Sequence, residues 1–275
     1  MTNLLAFVAV FALLILAHEA GHFFTAKRAG VLVQEFGFGF PPRIFAVRKG
    51  ETEYSLNLIP LGGFVRMSGE EDPSEPRSLA SKGIGTRFLI LSAGGIMNAS
   101  LAFVLFILTF MIPQEVMEGQ VQITGIAPGS PAEQAGLQPG NVILRVNDRP
   151  IRGSPDLAYN VNLNLGKELV LYVKESTGPS AQRTVRLVPR WNPPPGQGAM
   201  GVGIAMANAY RTTQSYPVWE AVPLGLRKGI DFLTLAKNDI QGAMGRGGPP
   251  PVTGPIGIYQ ITGVVASFGF GALLE

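Results

Sequence analysis

Apolar residues run unbroken from Leu4 to Ala17, and the apolar character continues to Ala26 with one short ionisable interruption. As a helix rising about 1.5 Å per residue, residues 3–26 are long enough to cross a bilayer. A second run over 88–112 predicts a second span, in which Ala93-Gly94-Gly95 would let another helix approach closely. Between the runs the pattern changes to alternation. Short strands are predicted over 31–36, 43–49, 52–58 and 63–67, punctuated by Gly37, Gly39, Pro41, Pro42, Pro60, Gly62 and Gly63. Their many apolar residues suit either a sheet dipping toward the membrane or an ordinary small soluble sheet. An acidic loop with Pro and Ser follows over 68–82.

Residues 120–190 predict a β-rich domain outside the membrane. A strand over 121–126 ends at Pro128-Gly129. Ser130 as N-cap, Pro131 at the first helical position and Glu133 three residues past the cap then form a capping box, and Gly136 stops the short helix. A strand over 141–146, a longer helix from Ser154-Pro155 to about residue 164, and strands near 168–173 and 183–188 complete it. Residues 191–198 read as a linker. Residues 218–244 are helical in character but carry Arg227, Lys228, Asp231, Lys237 and Asp239, which fits either a polar-lined span or an interfacial helix. Another apolar segment begins at Ile261.

Composition sharpens this. The 275 residues are 46% hydrophobic and 15% charged, with mean hydropathy +0.25, the balance of a membrane protein with a polar part. The net charge of +3 comes from scattered residues. Without a dense basic run interleaved with aromatics, it does not indicate a nucleic-acid partner. No Lys or Arg precedes Lys27, whereas nine lie between the two spans (Lys27, Arg28, Arg43, Arg48, Lys49, Arg66, Arg77, Lys82, Arg87). The positive-inside rule places that segment in the cytoplasm and the N-terminus outside. The same absence of an early positive charge argues against a signal peptide.

The only two histidines, His18 and His22, stand in His18-Glu-Ala-Gly-His22 at the end of the first apolar run. Four residues apart on a helix, they share a face and can bind one zinc ion, while Glu19 can take a proton from water that the metal activates. Ionisable groups at membrane depth are costly and point to function. With no cysteine in the chain, zinc ligands must be nitrogen or oxygen. Asn98, a polar group in the second span, either hydrogen-bonds a neighbouring helix or donates to substrate or to charge developing in hydrolysis.

Residues 125–147, Gly-Ile-Ala-Pro-Gly-Ser-Pro-Ala-Glu-Gln-Ala-Gly-Leu-Gln-Pro-Gly-Asn-Val-Ile-Leu-Arg-Val-Asn, resemble a PDZ domain. Such domains bind peptide termini by strand addition. The order of that stretch with His18-Glu-Ala-Gly-His22, Pro60-Leu-Gly-Gly-Phe64, Gly94-Gly-Ile-Met-Asn98 and Gly254-Pro-Ile-Gly257 resembles the site-2 protease family of intramembrane zinc metalloproteases, in the bacterial branch that cleaves anti-sigma factors. The resemblance implies a multi-pass α-helical membrane protein with a membrane-associated β-hairpin region and an inserted PDZ domain. Such a protein would lie in the bacterial inner membrane with the PDZ domain outside the cytoplasm. His18 and His22 would ligate zinc, Glu19 would be the general base, and Asn98 would lie in the supporting motif, where Gly95 replaces the family's usual proline. The expected segments are the first span (1–27), the β region (28–86), the second span (87–112), the PDZ domain (113–192), a linker (193–217), a third helix read as transmembrane (218–245), and a Gly-Pro-Ile-Gly segment starting a further span (246–275). The family's third ligand is an Asp in an Asn-Pro…Leu-Asp-Gly motif. That motif does not occur here, and the downstream aspartates, Asp231 and Asp239, lack its context. The chain is therefore expected to be a fragment, inactive alone. The alternative is an inactive membrane-anchored PDZ adaptor.

Overall fold

The computed structural model describes residues 2–175, 182–245 and 254–266. In chain order the elements are α1 (Thr2–Arg28), β1 (Val33–Lys49), β2 (Thr52–Met67), α2 (Ile84–Met111), β3 (Gln114–Ile126), α3 (Pro131–Gln134), β4 (Val142–Val146), β5 (Arg149–Pro150), α4 (Ser154–Leu163), β6 (Leu169–Lys174), β7 (Gln182–Leu187), β8 (Val202–Gln214), α5 (Val218–Gly245) and α6 (Pro255–Ala266). Two compact units result, Met1–Thr109 with Thr253–Glu275, and Phe110–Val252.

In the first unit, α1 and α2 are the helices among the described residues long and apolar enough to cross a membrane. Leu5 and Phe24 on α1, and Phe88 and Leu91 on α2, are exposed, as surface meeting lipid should be. β1 and β2 are antiparallel, and β1 meets β2 twice. Phe36 lies between Val65 and Tyr54, while residues 43–49 pair back onto 52–57. The four short strands expected from the alternation are thus segments of two long, bent strands. Prolines interrupt hydrogen bonding without ending the strand. The outer edges of segments 43–49 and 63–67 have no neighbouring strand among the described residues.

Ala26, Val31, Val33, Leu79 and Ile90 form the core beneath the sheet. The acidic loop is bound into this core. Leu32 N–H donates to Arg77 O (3.0 Å), Ser68 N–H to Leu32 O (2.8 Å) and Leu79 N–H to Ser68 O (2.9 Å). Glu51 accepts from Arg77 (2.6 Å) and Lys27 (2.9 Å). Arg77 first, then Lys27, hold its carboxyl down from 4.5 to about 2. Its contribution is therefore present above the ordinary value and is lost only as pH falls toward about 2. α6 lies along α1, with Tyr259 edge-on to Phe7 at 5.6 Å. The rest of the expected 246–275 segment, residues 246–253 and 267–275, lies outside the described residues.

The second unit is a sheet in the order β7-β6-β4-β3-β8, with β5 on β4. Its buried face includes Val121, Ile123, Ile143, Val146, Leu169 and Leu171. Ser130 caps α3 by accepting from Glu133 N–H (3.2 Å), and Glu133 in turn accepts from Gly129 N–H (2.6 Å), one residue earlier than the sequence predicts. Gly136 follows with φ +73°, a conformation glycine tolerates best.

The expected linker over 193–217 is corrected. Val202–Gln214 is β8, paired with β3 from Gln114↔Gln214 to Ile126↔Val202. Gly203, Ala205, Ala207 and Ala209 have little strand propensity of their own, so the partner strand supplies the order.

α5 turns polar residues onto this unit. Asp231 accepts from both terminal nitrogens of Arg149 and from Tyr159 (3.2 Å), and Asn238 donates to Asn162 O (2.8 Å). The Asp231 and Arg149 side chains are 11% and 22% exposed. Breaking a buried pair leaves an uncompensated charge, which costs about 3 kcal/mol at the low end. Asp231→Ala should therefore destabilise the second unit by about 3 kcal/mol in urea unfolding followed by tryptophan fluorescence. Asp239→Ala, at an exposed position, should change stability by less than about 0.5 kcal/mol. α5 is not among the helices apolar enough to cross a membrane by length and composition.

Candidate active site

α1 presents His18, Glu19 and His22 within two turns, and its i, i+4 spacing stacks the two imidazoles. Their Nε2 atoms are 3.2 Å apart, with ring planes at 75°. His22 Nδ1 lies 2.7 Å from Ile90 O on α2. A carbonyl only accepts, so Nδ1 carries the proton and the Nε2 lone pair is left free. This is the outer-partner arrangement that orients metal-binding histidines.

The donor set fits zinc. With zinc–nitrogen bonds of about 2.0–2.1 Å, nitrogens at this separation subtend about 100° at one ion, near the tetrahedral angle. The surroundings leave space for it. Gly94, on α2, stands where a Cβ would come within 2.5 Å of His22 Nε2. No third acid, histidine or cysteine joins the pair among the described residues. Asp231 is held by Arg149 and Tyr159 in its own unit.

Glu19 sits under β2, where a Cβ on Gly63 would meet its Cγ at 2.8 Å. Residues 63–67, which start at Gly63 beside the Glu19 side chain, form one of the sheet's outer segments, with no neighbouring strand on their far edge among the described residues. Asn98 lies one turn beyond Gly94 on α2. Its Oδ1 is buried with no hydrogen-bond partner, so the neighbouring-helix bond considered for it is not made by that atom. The sequence pointed to His18, Glu19, His22 and Asn98. It did not reveal the Ile90 carbonyl, because a backbone acceptor 68 residues away leaves no mark in residue type.

Two imidazoles converging on one point, with the Glu19 carboxylate beside His18 in the chain, are an arrangement that suits metal-assisted hydrolysis. The chain belongs to peptidase family M50, the site-2 proteases, which it matches over residues 6–275. It is 30% identical over 282 residues to a zinc-metalloprotease relative in Clostridium acetobutylicum, covering 99% of this chain and 78% of that one. Zinc metalloprotease RasP of Oceanobacillus iheyensis is 26% identical over 357 residues, covering 100% and 83%. Zinc metalloprotease Rip1 of Mycobacterium tuberculosis is 30% identical over 257 residues, covering 81% of this chain and 62% of Rip1. The family's metal is zinc, and membership with two apolar helices gives the chain a membrane location.

Proposed function

We propose that this chain carries the catalytic helix of a multi-pass intramembrane zinc endopeptidase, which cleaves transmembrane segments of membrane proteins such as anti-sigma factors. The convergence of His18 and His22 beside Glu19 on a helix apolar enough to span a bilayer carries the reading. His18 and His22 hold the metal through Nε2, with the third protein ligand outside the described residues. Zinc, when bound, polarises the scissile carbonyl and acidifies the attacking water. Glu19 accepts the proton from that water and passes it to the leaving amine. Asn98 donates through its amide nitrogen Nδ2 to the substrate or to the developing oxyanion.

A helical substrate hides its carbonyls in hydrogen bonds and must unwind before attack. The free edge of residues 63–67, which start beside Glu19, offers backbone groups to hold it extended. The second unit acts as a PDZ domain outside the cytoplasm, binding peptide ends at a sheet edge. Its strand–capped helix–strand segment from β3 to β4 and its open edge at β8 support this reading.

The test is cleavage of a membrane-embedded substrate helix in vesicles by the whole protein, with zinc removed and restored. Chelation should abolish cleavage and zinc should restore it. Asn98→Ala should lower kcat by about 10²–10³ with KM unchanged. Zinc-independent cleavage would overturn the reading.

A further inference from the structure

Two neighbouring glycines on α2 face different surroundings. A Cβ on Gly94 would stand 2.5 Å from His22 Nε2, 2.5 Å from His18 Cε1 and 2.6 Å from His18 Nε2. A Cβ on Gly95 would meet nothing within 4 Å. Neither residue has a positive φ, so backbone freedom is not what a glycine supplies at either position. Glycine is also a poor helix former, so its presence at residue 94 needs a cause in space.

That cause is a clash with both imidazoles at once. A carbon under 3.0 Å from both Nε2 atoms forces one or both rings to turn. His22 is poorly placed to yield, because its Nδ1–H is fixed on Ile90 O at 2.7 Å. His18 would have to rotate, and the two lone pairs would no longer meet. Gly21 across the helix contact adds to the constraint. A Cβ there would overlap the Ala93 carbonyl, so α1 and α2 are already at their closest approach and cannot shift to make room.

We propose that Gly94 is a positioning residue for the metal. The missing side chain keeps the space in which the two Nε2 lone pairs converge, and one added methyl group expels the ion. The proposal rests on the zinc reading above. It predicts that metal affinity is sensitive to residue 94 and indifferent to residue 95.

The experiment is a Co²⁺ titration of the detergent-purified full chain, reading affinity and the visible spectrum of four-coordinate cobalt. Variants are Gly94→Ala, Gly95→Ala and Gly63→Ala, the last crowding Glu19 rather than the imidazoles. Gly94→Ala should weaken binding by about 100-fold and lose the spectrum. Gly95→Ala and Gly63→Ala should bind as the unmodified chain does. To separate lost binding from lost folding, His18→Ala/His22→Ala/Gly94→Ala is compared with His18→Ala/His22→Ala. The nearest atoms to the added methyl belong to the two imidazoles, so without both rings it has room and the two should melt together. Binding by Gly94→Ala equal to Gly95→Ala overturns the proposal and leaves the zinc reading standing. Equal weakening in both also overturns it, as a general helix effect. Absence of binding in the unmodified whole protein overturns the zinc reading itself.

Discussion

Replacing Glu19 with Gln should abolish peptide-bond cleavage while leaving the metal in place. The amide keeps the size of the carboxylate and its fit under Gly63, where a Cβ would come within 2.8 Å of Glu19 Cγ. What it loses is a group able to accept a proton from water. General-base contributions are typically 10²–10⁴-fold, or about 3–5 kcal/mol of barrier. Turnover in vesicles should fall by about that factor, with zinc per chain unchanged. If zinc disappeared together with activity, Glu19 would be a ligand and the assignment of the base would be wrong.

His22→Ala should have the complementary effect, a loss of metal. His22 supplies one of the two converging nitrogens and anchors its own ring to the Ile90 carbonyl. Altering only the outer partner of a ligand costs about 10–100-fold in affinity, so removing the ligand should cost at least about 100-fold. Thr25 provides the contrast. Its hydroxyl donates to the backbone carbonyls of Gly21 (2.7 Å) and His22 (3.1 Å). Thr25→Ala should leave zinc affinity within a factor of about three, in line with a surface-like change of under 0.5 kcal/mol. Equal affinity in His22→Ala and the unmodified chain would remove His22 from the metal site.

Much of the local structure was legible because local chemistry writes it. The spacing of His18 and His22 fixes a shared face once the segment is helical. Ser130, Pro131 and Glu133 mark a helix start through the hydrogen bonds they make within four residues. β8 was hidden for the opposite reason. Its alanines and glycines become a strand only because β3 lies beside them, and propensity does not register a distant partner. The acidic loop over 68–82 likewise looked like free surface. Its hold on Leu32 through Arg77 and Ser68 depends on backbone groups that every residue has. α5 was ambiguous in sequence because its polar residues could line a span or face water. In the structure Asp231 meets Arg149 and Tyr159 and Asn238 meets Asn162, while Lys237 and Asp239 are exposed. At the site itself, Gly94 was legible as a place of close helix approach and Gly63 as strand punctuation, but not as neighbours of the imidazoles and of Glu19. That meaning lies in the side chains of another element.

The most direct test is the zinc X-ray absorption spectrum of the purified chain in detergent, compared with His18→Ala and His22→Ala. The account predicts one zinc whose first shell contains two imidazole nitrogens at about 2.0–2.1 Å, falling to one imidazole or to no bound metal in either variant. A zinc shell without a pair of imidazoles, or one unchanged by either substitution, would contradict it.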